Sequence, residues 1–280
     1  MTFTGKLFRF FIYSNLFIAC CAVLMVRQTC QLLLHTNPGI PLISFIFFAT
    51  VCSYSFHWYL TPVEGNISSS RVNWLNQHRR VHLLLLIIGV IGTIISAFFL
   101  LNHWHWLLTA ALVTFLYSAP KIPHRSFRML RKIALGKTIF LAFTWTYVTS
   151  ILPLQIEAKE WSTAFSVFAA HRFFLIYAIC ILFDYRDREY DKSIGIRSLI
   201  TWLSERNITI LFTFSVILFV IFTIWLAALG QPLHIIIILL LPGLITAALY
   251  NYAKKNFSDI LYYFILDGLM ALSPLLTLFI

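Results

Sequence analysis

A chain of 280 residues that is 60% hydrophobic and only 11% charged cannot cover a water-facing surface, because a soluble domain carries about 25% charge. A soluble globular domain is therefore excluded, and the residues left for loops are too few for a sizeable extramembrane domain. The net charge of +11 is then explained by loops held on the cytoplasmic side rather than by nucleic-acid binding, so no nucleic-acid partner is expected.

The apolar runs are continuous and about twenty residues long, which favours helices over the roughly ten-residue alternating strands of a membrane barrel. No backbone amide can stay unpaired in lipid, so each run is read as a helix. Nine are expected, at 8–28, 40–60, 82–101, 104–120, 134–156, 163–183, 208–229, 232–252 and 260–280. Lys6 and Arg9 precede the first run, which is too long for a signal-peptide core and is taken as a retained span. Pro38 and Pro41 introduce the second, and Pro120 and Pro123 end the fourth. Asn102–His103 and Gly230–Gln231 are turns so short that spans 3–4 and 7–8 must be antiparallel hairpins. Placing the N-terminus with the loops after spans 2, 4, 6 and 8 gathers 18 of the 21 Lys and Arg residues, all but Arg27, Lys159 and Arg172. That bias predicts a cytoplasmic N-terminus and an outer C-terminus. The five cysteines show no C-x-x-C spacing and read as small apolar residues without a disulfide framework. The whole chain, 1–280, is expected to be one polytopic domain. The loops after helices 2, 4 and 6 would form a cytoplasmic cap.

Polar chemistry concentrates in two of those loops. Four of the chain's ten acids fall between Asp184 and Asp191. If the sixth span continues as a helix, Asp184, Asp187 and Asp191 stand at i, i+3 and i+7, within an arc of about 60°. Converging carboxylates repel unless a cation joins them, and oxygen ligands of this type suit Mg²⁺. The alternative is a solvated loop in which Arg186 and Arg188 are the ion partners. In the other loop, Tyr117-Ser118-Ala119-Pro120 leads into Lys121, Arg125, Arg128, Arg131, Lys132 and Lys137. Such a cluster attracts a polyanion such as diphosphate, or serves topology and anionic lipid heads alone.

Phe183-Asp184-Tyr185-Arg186-Asp187-Arg188-Glu189-Tyr190-Asp191-Lys192-Ser193-Ile194-Gly195 resembles the second aspartate-rich motif, D-x-x-D-x-x-x-D with a trailing glycine, of UbiA-type intramembrane prenyltransferases. Tyr117-Ser118-Ala119-Pro120 resembles the turn before that family's basic loop, and Asp267-Gly268 a pair often seen in its last helix. One departure stands out. Where the family has a first motif, N-x-x-x-D-x-x-x-D, one alignment puts Ser55, Tyr59 and Val63, with Glu64 the one nearby acid. His57 in this stretch could bond a phosphate or cap the helix. Asp267 lies inside an apolar run, where an ionisable residue usually faces a cavity or partner.

The resemblance implies an all-α membrane protein with a bundle around a central cavity, lodged in the lipid bilayer of a bacterial inner membrane. It implies a Mg²⁺-dependent prenyltransferase acting on a prenyl diphosphate and an aromatic, quinone-type or other lipophilic acceptor. Asp184, Asp187 and Asp191 would hold the metal. Tyr117, Lys121, Arg125, Arg131 and Lys137 would hold the diphosphate, and His57 and Asp267 would line the cavity. No obligate protein partner is implied. The rival readings are a lipid-diphosphate-binding protein of the same fold with little or no catalysis, and a small-molecule transporter. Nearly all charges lie at span ends, which argues against the transporter.

Overall fold

The computed structural model describes residues 3–60, 70–118, 137–158, 160–193 and 198–280, and among them every regular element is helical. The first expected span is two helices, α1 (Phe3–Tyr13) and α2 (Leu16–Leu34). The break is at Asn15, whose φ of 68° is the left-handed conformation that a short amide side chain tolerates. Ser14 and Asn15 are fully buried, so the chain turns there to carry a polar group into the interior.

Helix α3 (Ile40–Tyr59) starts with Pro41 in its first turn, where a missing N–H costs nothing. Next come α4 (Ser70–Gln77), α5 (Arg79–Phe98) and α6 (Trp104–Ser118). Helix α7 (Lys137–Thr146) runs through a π-helical turn, Tyr147–Ile151, into α8 (Leu152–Glu157). Helix α9 is continuous over Thr163–Ser193. The sixth span thus runs about ten residues past its expected end and carries the aspartates on helix, not loop. The short α10 (Leu199–Trp202) is capped by Ser198, and α11 (Glu205–Ala228) by Ser204. Gly230, at φ 96°, makes the hairpin turn into α12 (Leu233–Ala253), a backbone state open to glycine. A second π turn, Leu261–Leu266, leads into α13 (Asp267–Thr277).

Seven described helices are long and apolar enough to cross a membrane. Of the nine expected spans, the two outside that set are 104–118, beyond which the chain is not described, and the shorter apolar 261–277. The outward faces fit lipid. On α5, Leu84, Ile87, Ile91, Ile94 and Phe98 are exposed at helical spacing, and on α11 so are Ile210, Phe214, Ile217, Ile221 and Ile224. Several buried hydroxyls are satisfied inside their own helices, as when Thr50, Thr146, Thr223 and Thr246 bond the carbonyl four residues back, which is what an apolar surround demands.

The helices close a ring. Helix α2 packs on α3, α3 on α6, α6 on α7, α7 on α9, α9 on α11, α11 on α12, α12 on α13, and α13 back on α2. Helix α5 lies outside the ring along α3. Its Gly89 stands so close that an added Cβ would meet the Cys52 backbone at 2.8 Å.

Toward one end of the bundle the interior holds a buried arginine. Arg172 of α9, counted with the outer side from sequence, is in fact 3% exposed. Its guanidinium donates to the Met25 carbonyl at 2.8 Å and to Gln28 Oε1 at 2.7 Å. The Thr149 carbonyl, inside the π turn, accepts from Thr29 at 2.8 Å and from Arg172 at 3.4 Å. A π turn frees carbonyls from the i−4 ladder, and here α2 and α9 supply the replacement donors.

Candidate functional site

At the other end of the ring stand the sequence-predicted aspartates. Because α9 is unbroken, Asp184, Asp187 and Asp191 share one face, strung over about 10 Å of helix axis at 1.5 Å per residue. Asp184 and Asp191 are buried; Asp187 keeps a third of its side chain exposed. Thr138, in the first turn of α7, donates its hydroxyl to the Asp184 carboxylate. Asp187 accepts from Arg186 Nε at 2.9 Å. Among the described residues no group of three or more His, Cys, Asp or Glu side chains forms a metal-holding cluster. A shared face is not convergence. What the geometry offers Mg²⁺ is one or two carboxylates, a set that fits a metal completing its octahedron with phosphate and water oxygens.

Of the predicted diphosphate contacts, Lys121, Arg125 and Arg131 lie outside the described residues. Lys137 opens α7, immediately before the Thr138 that bonds Asp184. The first turn of α7 is thereby held against the aspartate helix. Tyr117 stacks on His57, with ring centroids 5.2 Å apart and planes 12° apart, so these two candidates from α6 and α3 are brought together. At the first-motif positions, Ser55 is fully buried and accepts from Asn15 Nδ2 at 3.4 Å. Tyr59 is exposed, with Arg79 5.2 Å over its ring. Val63 and Glu64 lie outside the described residues.

Asp267 begins α13, just after the π turn. Asp267 and Tyr54 are both partly buried. Arg71 and Arg186 are within electrostatic reach of the Asp267 carboxylate. The Tyr54 hydroxyl accepts from Trp145 Nε1 at 3.1 Å.

Sequence reasoning missed the groups that organise this mouth. Arg71 of α4 is 3% exposed. Its Nη2 donates to Asn15 Oδ1 at 2.7 Å, and its backbone N–H to Asp259 at 2.8 Å. Its guanidinium lies 4.0 Å from the Tyr263 ring centroid and 4.5 Å from that of Trp58. Burial lowers its pKa from the ordinary value, opposed by Tyr263 and Asp267, and an arginine so placed stays a cation. Arg186 reaches Tyr263 from the other side, donating to its hydroxyl at 2.8 Å. Next along α9, Arg188 pairs with Glu205, which also takes Lys254 at 2.7 Å. That clasp fixes the extended end of α9 to α11 and α12. Available signals were a lone arginine after the serine run and a lone amide, Asn15, inside an apolar run.

The chain was compared with known proteins. No curated protein matches it. The model of the UbiA prenyltransferase family matches residues 75–269, more than half of the chain, and takes in the aspartate helix and Asp267. On that match, and with its helical bundle, the chain belongs to the UbiA prenyltransferase family.

Proposed function

We propose that this membrane protein transfers an isoprenoid chain from a prenyl diphosphate to an aromatic, quinone-type or other lipophilic acceptor. The observation that carries the reading is the bond from Thr138 to Asp184. It holds the start of α7, where the basic segment ends in sequence, against the aspartate helix, which supports a mouth that combines cations with carboxylates. In this reading Asp184, Asp187 and Asp191 present oxygens toward the diphosphate end. Lys137, with Lys121, Arg125 and Arg131 of the loop, takes the remaining phosphate charge. Bound Mg²⁺ would supply charge neutralisation of the leaving diphosphate. The C1–O bond breaks, the diphosphate leaves with the electron pair, and the allylic cation is captured by the acceptor, which then loses a proton. Tyr117 and His57 form an aromatic wall at the mouth.

A second reading, ligand binding without transfer, is favoured by the Ser55, Tyr59 and Val63 positions, where carboxylates are missing. Incubation of purified protein with labelled prenyl diphosphates and a panel of quinone-like acceptors decides between them. Transfer with Mg²⁺, lost in EDTA and in Asp187→Asn, is expected. Tight diphosphate binding with no product from any acceptor would favour the second reading, and no binding would remove both.

A further inference from the structure

We propose that Arg71 and Arg186, joined through Tyr263, form the cationic half of the ligand clamp, so that one metal ion, not two, accompanies each bound diphosphate. This rests on the reading that the mouth takes a prenyl diphosphate.

Three observations converge. First, both guanidiniums are under-used. An arginine carries five N–H donors. Arg71 Nε and Arg186 Nη1 are buried with no hydrogen-bond partner among the described residues. Buried donors are nearly always satisfied, so an unmet one calls for an explanation. Second, the two are placed together. The Tyr263 ring underlies Arg71, and its hydroxyl accepts from Arg186. Tyr263 packs on Trp58 at 6.4 Å between centroids, and the rings leave the guanidiniums little freedom to turn elsewhere. Third, the walls differ in charge. Asp184, Asp187 and Asp191 all come from α9. Opposite, α1, α2, α3 and α4 bring Ser55, Asn15 and Arg71, whose side chains bond in that order. Asp259 faces the Arg71 main chain, not its guanidinium. Among the described residues Ser55, Asn15 and Arg71 bring no carboxylate for a second metal, and what they offer a phosphate oxygen is planar N–H donors.

Arg186 Nε bonds Asp187 Oδ1 at 2.9 Å, so a ligand held at Asp187 is beside the same guanidinium. Asp267 is within electrostatic reach of both guanidiniums. A purely structural role would have each arginine pin its helix and ignore ligand charge.

The test uses the full chain in detergent, with geranylgeranyl diphosphate and the uncharged geranylgeraniol as probes. Mn²⁺ substituted for Mg²⁺ is counted by electron paramagnetic resonance. One Mn²⁺ per bound diphosphate is expected in the wild type. Arg71→Gln and Arg186→Gln should each weaken diphosphate binding about ten- to a hundredfold and leave geranylgeraniol binding unchanged. Arg71→Lys and Arg186→Lys, which keep the charge, should recover part of the loss. Should a Gln variant fail to fold, the Lys variants and the wild-type metal count still decide. Two Mn²⁺ per ligand, or equal losses for diphosphate and alcohol, would overturn the inference while the prenyl-diphosphate reading stands. Failure of the wild type to bind the diphosphate at all would overturn both.

Discussion

Thr138 and Asp184 show how one hydroxyl can set a site. Asp184 is buried, and the Thr138 hydroxyl is its described donor across the α7–α9 contact. Thr138→Val removes that donor while keeping shape. The expected cost is about 1–3 kcal/mol, read as a lower thermal midpoint in detergent, with weaker prenyl-diphosphate binding as α7 loosens from α9. Arg172→Met strips the donors from Gln28 and the Met25 carbonyl. It should also lower stability, by about 1–3 kcal/mol, and a thermal midpoint equal to wild type would deny the buried arginine its role. At this scale the sequence was legible where charge interrupts apolar surroundings: Asp184, Asp187, Asp191 and Asp267 stand out on composition alone. Arg71 with Asn15, 56 positions away, and Arg186 with Tyr263, 77 positions away, were not legible. Long-range pairing between a cation and a neutral amide or phenol leaves no periodic trace.

Helices α1 to α3 and the two π turns mark the limit of pattern reading among elements. Hydrophobic length located the spans, and Gly230 announced its hairpin. The break at Asn15 did not show, because an amide in an apolar run reads as tolerated until its partners Ser55 and Arg71 are known. The π turn at Tyr147–Ile151 was equally hidden, since the donors that satisfy its Thr149 carbonyl come from Thr29 and Arg172 on other helices. The extension of α9 to Ser193 was legible through aspartate spacing, yet spacing could not say that the three carboxylates stay apart along the axis. The α3–α5 contact supplies a test of packing. Gly89→Leu puts a side chain where even a Cβ meets the Cys52 backbone at 2.8 Å. Helix α5 should separate from α3, with a fall in thermal midpoint larger than that for Gly230→Ala, a site with open space around it. A Gly89→Leu protein as stable as wild type would contradict the close approach.

The whole molecule is a ring of helices with Arg172 buried toward one end and the aspartate helix at the other. Topology reporters test the orientation proposed for it. A fusion in the 157–161 connection should report the outer side, and fusions beside Ser193 and at the N-terminus the cytoplasmic side. A cytoplasmic signal from 157–161 would reverse the bundle. The central claim is that the mouth binds a prenyl diphosphate through a carboxylate face that needs Mg²⁺ and ligand together. With few protein oxygens available, metal alone should bind weakly, and metal and ligand should strengthen each other reciprocally. Calorimetric titration of geranylgeranyl diphosphate into the detergent-solubilised protein, with saturating Mg²⁺ or with EDTA, measures this most directly. The predicted result is much tighter binding with Mg²⁺, and loss of that difference in Asp187→Asn and Asp191→Asn. Equal affinity in EDTA, or Asn variants that keep the full difference, would contradict the account.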